Sequence, residues 1–449
     1  MWGVPIHHSS SLSMSSSLVA VLQMTSTNDK GQNFETCRRL IEQAQARGAI
    51  MVFLPEAFDF LGLNGTETQA LAEPLSGPTI SNYQALAAKH KMGLSLGGFH
   101  RVHGDKMLNT HVLIDDQGQI SGTYAKTHLF DVEIPGQVRL KESDYVIPGD
   151  QICDPISTPA GKIGLGICYD LRFPEISLGL ARKGADILTF PATFTVPTGM
   201  AHWETLLRAR AIETQCYVIA AAQIGQHNPK RASYGHSMII DPWGTVLAHC
   251  GQGEGIICAE INLDYLASVR KNMPVAQHRR SDLYGLAMID DISGTVDQDE
   301  VRNFGQVQIS GRCVVFETRT AFVAVNKKPV VPGHLLVIPK RHNVPRLCDL
   351  TTDEVSDLFL AVQKAEMLAE KHFECNASTV NIQDGEEAGQ SIFQLHVHVL
   401  PRQAGDFKRN DDIYNELETH DKGDDVKWRS EEEMAKEAEE LRRTFWAMK

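Results

Sequence analysis

Apolar positions follow two periods along the first two thirds of the chain. Short, mainly apolar runs at 18–24 and 49–54 read as strands, the second of them buried; between them Cys37, Leu40, Ile41 and Ala44 recur at helical spacing before Gly48. The alternation continues with a helix over 80–91, a strand over 93–101 and a strand over 108–115 closed by Asp116-Gln117-Gly118. After residue 168 come a helix to 183, a strand at 185–190, a helix over 202–215 and a strand over 216–224. Segments 237–241 and 245–249 flank Pro242-Trp243-Gly244, which predicts a hairpin. Strands and helices in this order predict an α/β domain.

The periodicity then lapses. Residues 287–300 are acidic and contain glycine, the signature of a linker, and a second pattern starts after them. Strands at 313–317, 321–325 and 335–338 precede a helix over 352–373, in which Val355, Leu358, Phe359, Val362, Leu368 and Ala369 form one stripe and Thr351-x-x-Glu354 is a capping box. Strands from 379 and over 393–400 complete a small antiparallel sheet; 406–425 is polar, and Ser430-x-x-Glu433 caps a last helix. The expected organisation is a flexible tail over 1–17, an α/β domain over 18–286, a linker over 287–301 and an α+β domain over 302–449.

Composition narrows the function classes. A length of 449 residues exceeds what one core supports, and 42% apolar with 22% charged residues is ordinary for a globular protein. A net charge of −13 argues against a nucleic-acid polymer as partner. Nine cysteines, with no Cys-x-x-Cys pair, make neither a disulfide framework nor a zinc ribbon, so a reducing, cytoplasmic setting is expected. No run reaches the roughly eighteen apolar residues of a membrane span, and 1–17 lacks the arginine and apolar core of a targeting peptide.

Chemistry enters at residues 161–175. Glycines and apolar residues run into Cys168, polar residues follow, and Pro174 sits where a helix can begin, so the thiol falls at a strand-to-helix corner. Such a corner frees backbone N–H groups for an oxyanion, and a helix start is expected to lower the thiol pKa. Thiolate attack also needs a base and a cation. Glu56 follows the strand Met51-Val52-Phe53-Leu54-Pro55, and Lys126 stands in Tyr124-Ala125-Lys126-Thr127-His128-Leu129-Phe130-Asp131, an apolar and aromatic setting. Taken singly, the first also reads as a helix cap and the second as a solvated lysine.

Together these segments, with Met273-Pro274-Val275-Ala276-Gln277-His278-Arg279-Arg280, resemble the nitrilase superfamily from about residue 18 to 285. The resemblance implies an αββα sandwich with Glu56 as general base, Lys126 as oxyanion cation and Cys168 as nucleophile. It implies that Glu142, in Lys141-Glu142-Ser143-Asp144, is a second, positioning glutamate. The implied reaction opens an amide or nitrile through a thioester. The subgroup with His128-Leu129-Phe130-Asp131 implies small carboxamide substrates, deaminated glutathione among them. Arg172 suits a substrate carboxylate and equally a structural role.

In Gln394-Leu395-His396-Val397-His398-Val399-Leu400 the strict alternation puts Gln394, His396 and His398 on one strand face, with the aliphatic residues on the other. One imidazole can attack phosphorus while another bonds phosphate oxygens; a pair of structural histidines fits the same pattern. Gly385 and Gly389 just upstream let backbone approach a phosphate. With Asn326-Lys327-Lys328-Pro329-Val330-Val331-Pro332-Gly333-His334 and Leu400-Pro401-Arg402, residues 302–449 resemble the histidine triad superfamily, in its fragile histidine triad branch. That resemblance implies His396 as the nucleotidylated nucleophile, His398 and His334 on the phosphate, Asn326 on the ribose, Gln383 on the polyphosphate, and Gly389, Gln390, Ser391 and Ile392 around the α-phosphate. The implied substrate is a diadenosine polyphosphate, best the triphosphate, cleaved to AMP and ADP. One position departs from the pattern: Gln394 stands where the first histidine belongs. Its backbone carbonyl still offers the acceptor that the nucleophile's second ring nitrogen needs.

Both resemblances in one chain imply a fusion of a nitrilase domain with a histidine triad domain, assembled as a homotetramer. They imply no tightly bound cofactor and no metal site, with at most a divalent cation accompanying the nucleotide. A rival reading is a dinucleotide-sensing signalling protein in which the nitrilase part is a scaffold.

Overall fold

The computed structural model describes residues 16–134, 138–280, 283–286, 296–419 and 428–448. The chain divides into two compact units, Met1–Arg279 and Arg280–Lys449, a division a few residues ahead of 286. Of the segment expected as a tail, 1–15 lies outside the described residues. Ser16 and Ser17 instead open the first strand, paired with Asn262 and Ile261.

The first unit has two six-stranded sheets. One runs Gly255–Asn262, Ser16–Gln23, Met51–Leu54, Gly93–His103, Lys106–Ile114, Ile120–Ala125; the other runs Val246–His249, Met238–Ile240, Tyr217–Ala220, Ile187–Thr189, Gly161–Leu165, Ile156–Thr158. Period-two alternation sorts the strands of the first sheet between two cores. Val19, Val21, Met51 and Phe53 pack toward Ile163, Leu165, Ile187 and Ile219 of the other sheet, whereas Ala20, Leu22, Val52 and Leu54 pack against Cys37, Leu40, Ile80 and Tyr83 of the helices Lys30–Ala46 and Pro78–His90. The helices Pro174–Arg182 and Val196–Thr214 contribute Ile176, Leu180, Trp203 and Leu207 to the first of these cores. The result is the expected αββα sandwich. Burying each such side chain contributes about 1.5–3 kcal/mol, so the alternation itself holds the layers. Where the layers meet at the site they approach closely: a Cβ on Gly97 would stand 2.0 Å from Pro191 Cβ, which only glycine avoids.

The second unit is a five-stranded antiparallel sheet in the order Val314–Glu317, Ala321–Val325, Leu335–Pro339, Val397–Pro401, Ser378–Asn381. Leu358, Val362, Ala365 and Leu368 of the helix Thr352–His372 and Ala438, Leu441 and Phe445 of the helix Glu431–Trp446 cover one face. Both capping boxes read from the sequence form. A hairpin, Val301–Phe304 with Val307–Ser310, takes Val301 out of the expected linker, while 287–295 lies outside the described residues. Within the polar stretch after 406, Asp412–Thr419 is a helix whose Ile413 and Leu417 bury against Val331 and Leu400. The strand expected over 393–400 is shorter, Val397–Pro401. Pairing Val337 with Val397 brings Pro339 opposite Leu395, and proline has no N–H to extend the ladder; Leu395 N–H turns to Val344 O instead, at 2.6 Å. No helix among the described residues is long and apolar enough to cross a membrane.

Candidate active sites

The first constellation sits where strands of both sheets end. Glu56 lies just past Met51–Leu54, Lys126 directly after Ile120–Ala125, and Cys168 just past Gly161–Leu165, so side chains distant in sequence converge at the carboxyl ends of strands. Lys126 Nζ is 3.1 Å from Glu56 Oε1 and 2.9 Å from Glu142 Oε2, and the Cys168 thiol lies within electrostatic reach of both the Glu56 carboxylate and the Lys126 ammonium. All four residues expected of an amidase site are therefore together. Cys168 takes φ +47, a left-handed conformation costly for a side chain with a Cβ, and is pinned there by its N–H bond to Pro191 O at 2.9 Å. Among the described residues the following N–H, that of Tyr169, donates to no backbone carbonyl.

Electrostatics assign the protons. Burial works against a charge on Glu56, but the Lys126 ammonium and hydrogen bonds from Thr193, Cys168 and Asn109 outweigh it and hold the carboxyl at about 2. Burial likewise opposes the ammonium of Lys126, and Glu142 with Glu56 overcomes it, so its pKa lies well above the ordinary value. The thiol goes the other way. Burial, then the Glu56 charge, push Cys168 well above its ordinary value, so the lowering expected from a helix start does not occur. The reason is local: Cys168 opens a short 3-10 turn, Cys168–Arg172, ahead of the helix Pro174–Arg182, and the Glu56 charge adds to the push of burial. In the resting protein the pair is thiol and carboxylate.

Three supporting residues escaped sequence reading. Asn109 Nδ2 donates to Glu56 Oε1 at 2.9 Å and to Glu142 Oε1 at 3.2 Å, holding both carboxylates with one amide. Thr193 donates its N–H to Glu56 Oε2 at 2.9 Å and its hydroxyl to the same oxygen. Asp170 is fully buried and accepts from Ile167 N–H, Tyr124 hydroxyl, and the His128 N–H and Nδ1, tying the lysine loop to the Cys168 corner. The sequence signal for Asp170 was its place two residues after Cys168; Asn109 and Thr193 had none. Arg172 stacks on the Tyr169 and Phe194 rings, 5.8 and 5.5 Å from their centroids, so it stands beside the turn that Cys168 opens.

In the second unit three imidazoles form a row. His334 Nε2 and His398 Nδ1 are 2.8 Å apart, and the rings of His398 and His396 are 4.8 Å apart. Val330 N–H donates to His334 Nδ1 at 3.2 Å, which makes His334 Nε2 the donor to His398. His396 Nδ1 lies 2.9 Å from Gln394 O, and Phe304 of the hairpin meets the His396 ring edge-on at 5.0 Å. Asn326 Nδ2 is 3.2 Å from the His334 ring. Gln383 donates to Leu417 O at 3.3 Å. Gly389 has φ +90, and a Cβ there would be 3.0 Å from Gln383 Nε2, so loop and side chain are neighbours. The Gln390 side chain closes this loop by bonding Gly385 N–H and Pro345 O; Ser391 is exposed, and Ile392 packs beside Phe304. Gln394 shares the His396 side of the chain through its Cβ, while its amide turns to Arg341 O at 2.9 Å.

Comparison with known proteins agrees with both halves. Residues 18–271 match the carbon-nitrogen hydrolase family and residues 310–405 the HIT domain. The chain is 49% identical over 425 residues to the nitrilase and fragile histidine triad fusion protein NitFhit of Caenorhabditis elegans, covering 94% of this chain and 95% of that one. Its first unit is similar to the deaminated glutathione amidase of Bos taurus, 59% identical over 273 residues, which are 60% of this chain and 83% of the relative. The crystal structure of the C. elegans NitFhit protein superposes with a TM-score of 0.87 at 46% identity, over 96% of this chain and 99% of that one. With two constellations in this order on these two folds, the chain belongs to the family of nitrilase and fragile histidine triad fusion proteins.

Proposed function

We propose that the chain is a bifunctional hydrolase, cleaving a small carboxamide in its first unit and a dinucleoside triphosphate in its second. The observation that carries the amide half is Lys126 Nζ bridging Glu56 at 3.1 Å and Glu142 at 2.9 Å, with the Cys168 thiol in electrostatic reach of the carboxylate that Lys126 keeps ionised. Glu56 takes the thiol proton as sulfur attacks the amide carbon; Lys126 and the Tyr169 N–H stabilise the oxyanion. The proton on Glu56 passes to the departing amine, and water activated by the same carboxylate opens the thioester. Glu142 holds Lys126 in place. Likeness to deaminated glutathione amidases supports deaminated glutathione as the substrate.

In the second unit, Nδ1–H of His396 donates to Gln394 O, which leaves Nε2 as the lone-pair nitrogen that attacks the α-phosphorus of diadenosine triphosphate. ADP leaves, and water releases AMP from the histidine. His334 and His398 hold phosphate oxygens, Asn326 the ribose, Gln383 the polyphosphate, and the loop of Gly389, Gln390, Ser391 and Ile392 the α-phosphate. The same reading takes the protein as a cytoplasmic homotetramer, as the family resemblance implies. The test is a crossed pair of variants in the full chain: Cys168→Ala should abolish release of the amine and spare nucleotide cleavage, and His396→Ala should do the reverse. A Cys168→Ala protein that still hydrolyses the amide, or a His396→Ala protein that still yields AMP, overturns the corresponding half.

A further inference from the structure

We propose that Arg231 is an anion clamp of the amide site, holding a carboxylate on the amine half of a substrate whose acyl half carries another. The inference rests on the amidase reading above and deepens it by assigning the residue that reads the amine-side carboxylate.

Arg231 lies on the hairpin Ile224–Asn228 with Arg231–Tyr234, far from any segment that the sequence singled out. Its Nη2 donates to Thr193 Oγ1 at 3.3 Å, and Thr193 is the residue that holds Glu56 Oε2. The hydroxyl end of Tyr145 lies within electrostatic reach of Arg231, Glu142, Lys126 and Glu56 together, which puts the guanidinium on the triad's side of the hairpin. On the next residue, Phe194, stacks the other arginine: Arg172 sits 5.5 Å from that ring, with both terminal nitrogens 3.3 Å from His202 Nδ1. Two guanidiniums thus flank the strip Thr193-Phe194, one at each residue.

Neither has a carboxylate partner among the described residues, whereas Arg210 pairs with Glu213 at 2.8 Å and Arg270 with Asp186 at 3.5 Å. A partly buried guanidinium without a counter-ion is costly unless a ligand supplies one. The triad's own balance points the same way. Glu56 and Glu142 against Lys126 leave one net negative charge, which repels an anionic substrate, and two arginines reverse that sign.

The sides follow from the chemistry. The acyl group becomes bonded to Cys168, whose turn carries Arg172; the leaving amine takes its proton from Glu56, whose anchor Thr193 is touched by Arg231. Arg172 therefore faces the acyl half and Arg231 the amine half. Glutathione without its amino group has this form, a carboxylate on each side of the γ-amide.

The experiment compares kcat/KM of the full chain for deaminated glutathione and for its C-terminal carboxamide, which differ only in the amine-side carboxylate. The wild type should prefer the acid by about 10- to 100-fold, the range of a charge-assisted pair. Arg231→Met should bring that preference close to unity. Arg231→Lys should keep part of it, because an ammonium retains the charge without the fork. Loss of activity on both compounds by one common factor, with the preference intact, means that Arg231 acts only through Thr193 and overturns the inference; so does a wild type that does not prefer the acid. Turnover of neither compound by the wild type overturns the amidase reading, and this inference with it.

Discussion

The Nδ1 atom of His396 and the carbonyl oxygen of Gln394 stand 2.9 Å apart, so the orienting contact of the candidate nucleophile is made by backbone and is indifferent to the side chain at 394. Gln394→His should therefore cleave diadenosine triphosphate within about tenfold of wild type, since no hydrogen bond to His396 changes. Steady-state release of AMP decides it, and an inert wild type beside an active variant would refute the argument. The side chain at 394 has a different task. Its amide donates to Arg341 O at 2.9 Å and accepts from Val344 N–H at 3.3 Å, so Gln394→Leu should cost about 1–3 kcal/mol in denaturant unfolding of the second unit, by stranding those groups.

Glu56 makes the first unit sensitive to acid. Its carboxyl drops from an ordinary 4.5 to about 2 on folding, held by Lys126 and three hydrogen bonds against the opposing cost of burial. A group whose folded pKa is depressed contributes stability above the unfolded pKa and loses it as pH falls through the folded one. The window is therefore from 4.5 down to about 2. Glu56→Gln, which cannot titrate, should flatten the loss of stability across that range and abolish amide turnover at every pH. Circular dichroism of acid titrations reports the first effect; a variant that unfolds along the wild-type acid curve would exclude Glu56 as its source.

Much of this site was legible because its chemistry sits in short runs. Cys168 at the end of an apolar run, Glu56 after a buried strand and Lys126 among aromatics each carry a local signal, and in the second unit the period of two put Leu395, Val397 and Val399 in the core. Asn109 and Thr193 carry none. Asn109 reaches Glu56 from two strands away in the same sheet, across 53 residues of sequence, and Thr193 reaches it from the other sheet, across 137. The boundary of the strand before His398 was missed for a similar reason: what ends it is Pro339 on the neighbouring strand. Sequence pattern displays what a segment wants to bury, and is silent about which polar atoms another segment will bring to it.

Asp170 should behave as a fastener rather than as a reactant. Its fully buried carboxylate accepts from both the 126–128 loop and the Ile167 N–H, joining the segments that carry Lys126 and Cys168. Asp170→Asn replaces one acceptor oxygen with a donor facing other donors, at a cost of about 2–4 kcal/mol. Thermal denaturation should shift downward, and amide turnover should fall more than the loss of folded protein explains. Melting at the wild-type temperature with full activity would show that the carboxylate's charge is dispensable there.

Gly98 provides the sharpest separation of backbone strain from site geometry. It has φ +72, and a Cβ there would stand 2.6 Å from Glu56 Cγ and 2.9 Å from Asn109 Oδ1. Glu56 cannot yield easily, because Lys126, Asn109 and Thr193 hold both of its oxygens, and Gly98 O is itself tied to Ala57 N–H at 3.0 Å. Gly104, in the turn that follows the same strand, has φ +58 with nothing within 4 Å of an added Cβ. Gly104→Ala should thus carry only the left-handed penalty, about 1–2 kcal/mol, and keep its amide turnover. Gly98→Ala should carry that penalty and also displace the base, reducing kcat by at least about a hundredfold, since a misplacement of roughly 1 Å in a catalytic group costs that much. Nucleotide cleavage by the second unit should be unchanged in both, which serves as the internal control on folded protein. If the two alanines depress amide turnover alike, strain alone accounts for Gly98, and the close packing of its backbone against Glu56 has no part in holding the base.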